Sequence, residues 1–150
     1  MNRPMTGKIN IPSTTQSLPI ALLRARERVM KPARALLSDA GVTEQQWRVV
    51  RVLVEEGPLD PTTIAERAVL LLPSLTRILH KLDEKGYVTR QRDEQDGRRQ
   101  VIRATDAGRE LIAVNMPAAR GYAQQLREHL GDDRYDQLLE LLDDLNQIEF

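Results

Sequence analysis

Hydrophobic residues recur at helical spacing through most of this chain, and the spacing changes at only one place, between residues 87 and 103. Two short segments there, 87–92 and 99–103, have the character of strands. The residues between them, Asp93–Gly97, favour a tight turn, so the pattern predicts a β-hairpin. Four helices are predicted before the hairpin and two after it. The sequence therefore predicts a mainly α fold with one small β-hairpin.

The predicted helices begin at residues that commonly cap helix ends. Thr43 and Gln46 have the spacing of a capping box at the start of the second helix. Asp60 precedes a short third helix, Pro73 opens the fourth, and Thr105 precedes the fifth. The first helix, residues 17–38, contains Pro32, which is expected to kink or split it.

The length and composition are typical of a globular domain. The chain has 150 residues and no cysteine, which excludes disulfides and thiolate chemistry. No apolar run approaches the roughly 20 residues of a membrane span. Residues 1–16 lack the apolar segment of a secretion signal and are predicted to form a disordered arm. We expect a cytoplasmic protein in which residues 17–150 form a single domain.

Charge is unevenly distributed, although the formal net charge is zero. Residues 73–103 contain eight basic and five acidic side chains, whereas residues 128–150 contain one basic side chain and eight acids. A basic middle segment is suited to contacts with phosphates. A solvated charged surface would give the same counts, so charge alone does not decide between the two interpretations.

Two short helices followed by a basic hairpin have the order of a winged helix-turn-helix, here residues 43–104. The second of these helices fits the major groove of duplex DNA, and an arginine at the hairpin tip fits the minor groove. A helix-turn-helix pattern or a charged turn alone is common in other proteins, but the combination is more specific. The predicted DNA contacts are Pro73, Ser74, Thr76, Arg77, His80, Lys81, Asp96, Arg98 and Arg99. Asp96 is expected to hold the Arg98 side chain extended.

The residues fit two other classes of function less well. An enzyme is disfavoured because His80 and His129, the only histidines, lie on different predicted helices and lack the spacing of a metal or catalytic motif. No catalytic residue, metal site or cofactor is predicted. A winged-helix module that binds protein or RNA, without operator binding, remains the alternative, because fold alone does not fix function.

The chain resembles the MarR family of bacterial regulators and, within it, the homoprotocatechuate degradation operon repressors. The first resemblance rests on residues 43–48, 73–79, 85–88, 96–99 and 105–108, and the second also on residues 17–27. One departure concerns Leu70–Leu72, because Leu72 lies where the family often has a polar residue that caps the recognition helix.

The resemblance implies a homodimer on a pseudo-palindromic operator, with repression relieved by a small aromatic carboxylate. Residues 17–40 and 105–150 would form the dimerisation helices, with contacts from Leu18, Leu22, Leu126, Leu130, Leu138, Leu142, Leu145 and Ile148. Packing within one subunit is the alternative for these side chains. Arg26 is the candidate cation of the effector site, with Arg24 or Arg28 as alternatives, and Ser17 and Trp47 are candidate lining residues. A surface ion pair for Arg26 and a core position for Trp47 are the competing interpretations.

Overall fold

A computed structural model describes residues 9–150 of the chain. The first eight positions of the predicted arm, residues 1–16, lie outside the described residues. Contacts divide the chain into two units, Met1–Pro32 and Ala33–Phe150.

The described elements are six helices and two strands, with one short 3-10 helix near the start. In chain order they are the 3-10 helix (Thr14–Gln16), α1 (Leu18–Asp39), α2 (Glu44–Glu56), α3 (Pro61–Ala68), α4 (Leu72–Glu84), β1 (Val88–Arg92), β2 (Gln100–Ala104), α5 (Asp106–Leu130) and α6 (Asp132–Asn146). The prediction of a mainly α fold with one β-hairpin is confirmed. The 3-10 helix is the one described element that the sequence pattern does not indicate.

The first unit is built around the beginning of α1. Ser13 caps the 3-10 helix by accepting a hydrogen bond from the backbone N–H of Thr15 at 3.3 Å, and the Arg24 guanidinium donates to the Thr14 hydroxyl at 3.3 Å. The helix is not split at Pro32 and continues to Asp39. None of the residues of α1 is buried.

The second unit has one hydrophobic core, to which α2, α3, α4, both strands and the beginning of α5 contribute. Its largest fully buried side chains are Leu53, Ile64, Leu75, Leu82, Ile102, Val49, Val50 and Val88. Burial of aliphatic side chains from each of these elements explains why short helices and a two-stranded hairpin are stable here.

The capping box predicted at the start of α2 is present in both halves. Thr43 Oγ1 accepts a hydrogen bond from Gln46 N at 3.1 Å, and Gln46 Oε1 accepts one from Thr43 N at 3.2 Å. The ammonium group of Lys85, just after α4, donates to the same Gln46 oxygen at 3.1 Å and to Gly41 O at 3.0 Å. These bonds attach the carboxyl end of α4 to the start of α2.

The start of α3 differs from the prediction in one respect. Asp60 is the residue before the helix, but its side chain makes no capping bond to the backbone. Its carboxylate instead accepts a hydrogen bond from the Thr63 hydroxyl and lies 3.8 Å from the Arg99 guanidinium. The Thr63 hydrogen bond, and to a lesser extent the charge of Arg99, hold the pKa of Asp60 below its usual value.

The hairpin is antiparallel, with Val88 opposite Ala104 and Arg92 opposite Gln100. Leu59, in the connection before α3, pairs with Ile102 on the other edge of β2 through hydrogen bonds of 2.8 and 3.1 Å. This contact ties the base of the hairpin to the helical part of the unit.

The junction between the hairpin and α5 is tightly packed. Thr105 caps α5 by accepting a hydrogen bond from Gly108 N at 3.1 Å, and its hydroxyl donates to Gly86 O at 2.6 Å. Thr105 N also donates to Tyr87 O at 3.0 Å. Gly108 lies so close to this segment that a Cβ atom placed on it would be 2.3 Å from Tyr87 O.

No helix in residues 9–150 is both long and apolar enough to cross a membrane.

Candidate nucleic-acid interface

Helix α4 separates an apolar face from a polar one. Leu75, Leu79 and Leu82 are buried in the core, as the helical spacing predicts. The predicted DNA-contacting residues of this helix lie on the opposite side. Ser74 is half-buried, and five others are exposed: Pro73, Thr76, Arg77, His80 and Lys81. A continuous polar face on the second helix of a helix-turn-helix is the arrangement that a major groove requires.

The cations of this face differ in their ionic partners. His80 Nε2 lies 3.1 Å from Glu84 Oε1, and Lys81 Nζ lies 3.5 Å from Glu84 Oε2. Arg77 makes no ion pair with any residue in the part of the chain that the structure describes. The guanidinium of Arg77 therefore carries an uncompensated charge on the exposed side of α4.

The tip of the hairpin is shaped by two aspartates. Asp93 Oδ1 accepts a hydrogen bond from Gln95 N at 2.9 Å, and Asp96 Oδ1 accepts one from Arg98 N at 3.1 Å. The expectation that Asp96 holds the Arg98 side chain is wrong, because Asp96 bonds the backbone of Arg98 rather than its guanidinium. The exposed guanidinium of Arg98 has no acidic partner within residues 9–150.

Arg99 connects the hairpin to α3. Its guanidinium lies 3.8 Å from the carboxylate of Asp60, and both residues line an open cleft of about 460 Å³. Leu72 at the start of α4 and Thr62 of α3 line the same cleft, together with Pro61, Asp96, Arg98 and Gln100. The hairpin tip and the beginning of α4 therefore form one continuous surface.

Sequence reasoning missed two features of this surface. Arg90 of β1 is held by Asp83 of α4, whose carboxylate oxygen accepts hydrogen bonds at 3.0 and 3.1 Å. The turn before α4 exposes apolar side chains, and its Val69 has left-handed backbone angles, φ 56° and ψ 57°. The three consecutive leucines at 70–72 were a visible signal, but which of them are exposed depends on the path of the backbone.

Comparison with known proteins places this chain in a family. The family model described as MarR family matches residues 42–99. The transcriptional regulator FarR of Neisseria gonorrhoeae is 37% identical over 133 residues, which are 89% of this chain and 91% of FarR. The chain belongs to the MarR family. The homoprotocatechuate degradative operon repressor of Escherichia coli is 36% identical over 128 residues, which are 85% of this MarR protein and 86% of the repressor.

Solved structures agree with this MarR assignment. NadR in complex with 4-hydroxyphenylacetate is 35% identical, with a TM-score of 0.78 over 93% of this chain and 100% of NadR. The repressor CouR bound to a 23-mer DNA duplex is 27% identical, with a TM-score of 0.82 over 91% of this chain and 99% of CouR. The fold is a winged helix-turn-helix with additional helices on both sides, and this MarR protein is a DNA-binding transcription regulator.

The candidate effector residues of this MarR protein belong to different units. Ser17 is half-buried after the 3-10 helix, and Arg26 is exposed on α1 and has an interaction partner. Trp47 is 7% exposed and belongs to the core of the second unit. Its packing matches the core interpretation that the sequence left open.

The candidate dimerisation residues expose considerable apolar surface. Leu18 and Leu22 on α1 are 54% and 38% exposed. On α5 and α6, Leu130 and Leu138 are exposed, whereas Leu126, Leu142 and Leu145 are half-buried. Ile148 is also exposed, but it lies two residues beyond the end of α6. Helix α6 has no buried residue at all, so its apolar side is incompletely covered within the subunit.

Proposed function

We propose that this MarR regulator is a homodimeric repressor that binds a pseudo-palindromic operator and is released by a small aromatic acid. Helix α4 enters the major groove, and the hairpin tip contacts the minor groove beside it. The observation that carries the DNA part of the proposal is the pair of exposed, unpaired guanidinium groups, Arg77 on α4 and Arg98 on the hairpin, judged over residues 9–150.

The reason that unpaired arginines matter is energetic. A cation that already has an acidic partner must give up that interaction before it contacts a phosphate or a base, as His80 and Lys81 would with Glu84. Arg77 and Arg98 contact DNA without that cost. Arginine also forms paired hydrogen bonds with guanine, which gives base preference as well as affinity.

Fluorescence anisotropy with duplexes enriched from a random pool tests this interface. Arg77→Ala and Arg98→Ala are expected to weaken binding, and loss of a phosphate contact lowers the salt slope by about 0.9 per contact. Arg120→Ala on α5, another exposed arginine, is the control and should bind as the wild type does. Binding no tighter than to random duplex would favour the protein- or RNA-binding alternative instead.

The homodimer proposal rests on the helices outside the DNA-binding module. An amphipathic helix whose apolar side is exposed usually covers that side with a partner. Exposed leucines on α1, and separately on α5 and α6, supply apolar surface of this kind, and a second subunit carries the same leucines. Two subunits related by a twofold axis would place their recognition helices on half-sites about 34–36 Å apart.

Sedimentation at micromolar concentration tests the dimer. The wild type is expected to sediment as twice the mass of one chain. Leu142→Asp on α6 is expected to shift the protein toward monomer, while Glu140→Asp on the same helix is expected to leave the dimer intact. A monomeric wild type would refute the proposal, because it would show that no second subunit covers the apolar sides of these helices.

The effector proposal is supported by the similarity to NadR, whose structure holds 4-hydroxyphenylacetate, and to the homoprotocatechuate degradative operon repressor. An aromatic carboxylate needs a guanidinium for its charge and an apolar wall for its ring. We propose Arg26 for the first role and Ser17 as a neighbouring polar group. The effector must bind the DNA-competent and the DNA-incompetent form unequally.

Release of labelled operator by 4-hydroxyphenylacetate tests the effector. The wild type should release DNA as the acid is titrated, whereas Arg26→Ala should need a much higher concentration. Lys31→Ala, which removes another exposed cation of the same helix, is the matched control. Equal release by Arg26→Ala and the wild type would remove Arg26 from the site, and no release by any aromatic acid would remove this class of effector.

We further propose that the protein works in the cytoplasm, where its DNA is, and that it regulates without catalysis. His80 interacts with Glu84, and His129 Nδ1 lies 2.7 Å from Gln125 O. No cluster of three or more potential metal ligands is present among residues 9–150. An assay that detects hydrolysis or oxidation of the effector acid, present in excess over the regulator, would contradict this part.

A further inference from the structure

The connection between α3 and α4 exposes an unusual amount of apolar surface. Val69 is 79% exposed, Leu71 is 77% exposed and Leu72 is 46% exposed; we call these three residues the apolar turn. Leu70, which lies among them, is half-buried and packs against the core. Packing of this unit therefore accounts for Leu70 but not for the apolar turn.

The backbone of the apolar turn is itself unfavourable. Val69 has φ 56° and is the only described non-glycine residue with a positive φ. A β-branched side chain rarely adopts this conformation, which glycine adopts at no cost. Conformations of this kind are found more often at functional sites than elsewhere. An exposed valine in a left-handed turn therefore raises the free energy of the folded protein in two ways, through its backbone conformation and through its exposed apolar surface.

The cleft beside the apolar turn carries both charges. Leu72 lines this cleft of about 460 Å³ together with two arginines and two aspartates, Arg98, Arg99, Asp60 and Asp96. Asp60 pairs with Arg99, whereas the guanidinium of Arg98 has no ionic partner among residues 9–150. Arg77 follows five residues after Leu72 on α4 and also has no ionic partner in the described chain. An apolar patch next to these cations is complementary to a partner that presents apolar groups between negative charges.

The major groove of DNA is such a partner. The 5-methyl group of thymine is the apolar group that the standard bases expose there, and phosphates flank it on both sides. The first residues of a recognition helix are those that reach the base edges. Leu71 is the residue before α4, and Leu72 is the first residue of the helix. The Thr76 hydroxyl donates a hydrogen bond to Leu72 O at 3.1 Å.

We propose that Leu71 and Leu72 read thymine by contacting its 5-methyl group in each operator half-site. This inference rests on the proposed operator binding and adds the base preference of the first turn of α4. Leucine cannot form hydrogen bonds, so it distinguishes thymine from cytosine through the methyl group alone. The half-site is expected to contain thymine at one or two positions that face the start of α4.

Deoxyuridine provides the test, because it pairs as thymine does but lacks the methyl group. The full-length protein first selects its operator from a random duplex pool. Each thymine of the selected half-site is then replaced by deoxyuridine, in both half-sites together, and affinity is measured by fluorescence anisotropy. Each contacted methyl group is expected to contribute about fourfold to the wild-type affinity, the value for burial of one methyl-sized group.

Variants assign the effect to the leucines. Leu71→Ala or Leu72→Ala should bind the thymine duplex more weakly and lose the difference between thymine and deoxyuridine at one position. Ile11→Ala, which also shortens an exposed apolar side chain but lies outside the DNA-binding module and the dimerisation helices, is the control and should keep that difference. Circular dichroism verifies that each variant is folded.

Three results would overturn the inference. Equal affinity for thymine and deoxyuridine at every position would show that no methyl group is read. An equal loss in the wild type and in both leucine variants would assign the effect to DNA shape, and unchanged DNA binding by both variants would assign the apolar turn to another partner. A pool from which no sequence is enriched would refute the operator binding as well, which separates the two failures.

Discussion

Replacement of Gly108 by alanine should destabilise the protein, although alanine normally favours helices. A Cβ atom at this position would lie 2.3 Å from Tyr87 O, and ordinary contact begins at 3.4 Å. The backbone of α5 or of the preceding segment must therefore move by about 1 Å. That movement strains the hydrogen bond from Thr105 N to Tyr87 O, now 3.0 Å long, which fixes the hairpin to α5.

The magnitude follows from two opposing contributions. Overpacking of a well-packed site costs roughly 1–3 kcal/mol, and weakening of one buried hydrogen bond costs about 1 kcal/mol more. Alanine stabilises a helix by about 1 kcal/mol relative to glycine, which offsets part of this loss. The net loss is about 1–3 kcal/mol, which for a protein of this size lowers the melting temperature by roughly 2–12 °C.

Gly121 offers a matched control in the same helix. A Cβ atom there has nothing within 4 Å, and the residue is turned roughly 140–180° around α5 from Leu126 and Leu130. Gly121→Ala should therefore stabilise the protein by about 1 kcal/mol. Urea unfolding of both variants at one protein concentration measures the difference, because a dimer's stability depends on concentration. A Gly108→Ala variant as stable as Gly121→Ala would refute the close approach.

Three further predictions concern stability. Thr43→Ala removes half of the capping box and should cost about 1 kcal/mol, measured as a lower urea midpoint; Thr43→Ser should retain most of it. Val69→Gly relieves the left-handed valine and should raise the free energy of unfolding by about 1 kcal/mol after allowance for the freer unfolded chain. This gain appears as a higher urea midpoint, so a lower midpoint would contradict the strain. The pKa of Asp60 is lowered first by the Thr63 hydroxyl, then by the backbone N–H of Asp60 and by the charge of Arg99. Its contribution to stability is therefore present above its unfolded pKa and disappears as pH falls through the folded value. The stability difference between wild type and Asp60→Asn should therefore shrink as the solution is acidified from pH 5, and a constant difference would contradict this assignment.

Local signals in the sequence identified most of the secondary structure. The capping box at Thr43 and the threonine cap at Thr105 involve neighbours within three residues, so their geometry follows from the sequence itself. The same holds for the helical spacing that buries Leu75 and Leu79. The helices and the hairpin were therefore predictable to within one or two residues.

Features that depend on distant contacts were not predictable in the same way. The sequence indicated that Asp60 caps α3, but its carboxylate lies 3.8 Å from Arg99, which the fold brings from the hairpin. Leu59 and Ile102 pair across 43 positions, and neither carries a local signal for that bridge. The left-handed conformation of Val69 was hidden because valine is a poor indicator of it.

The hairpin has a consequence for the solubility of the protein. A two-stranded sheet normally leaves both outer edges open to strands from other chains, which is a route to aggregation. Here Leu59 occupies the outer edge of β2 at Ile102, and the edge of β1 carries the charged side chains of Arg90 and Arg92. Each edge is blocked by a different means, so the exposed hairpin does not become a template for intermolecular strand pairing.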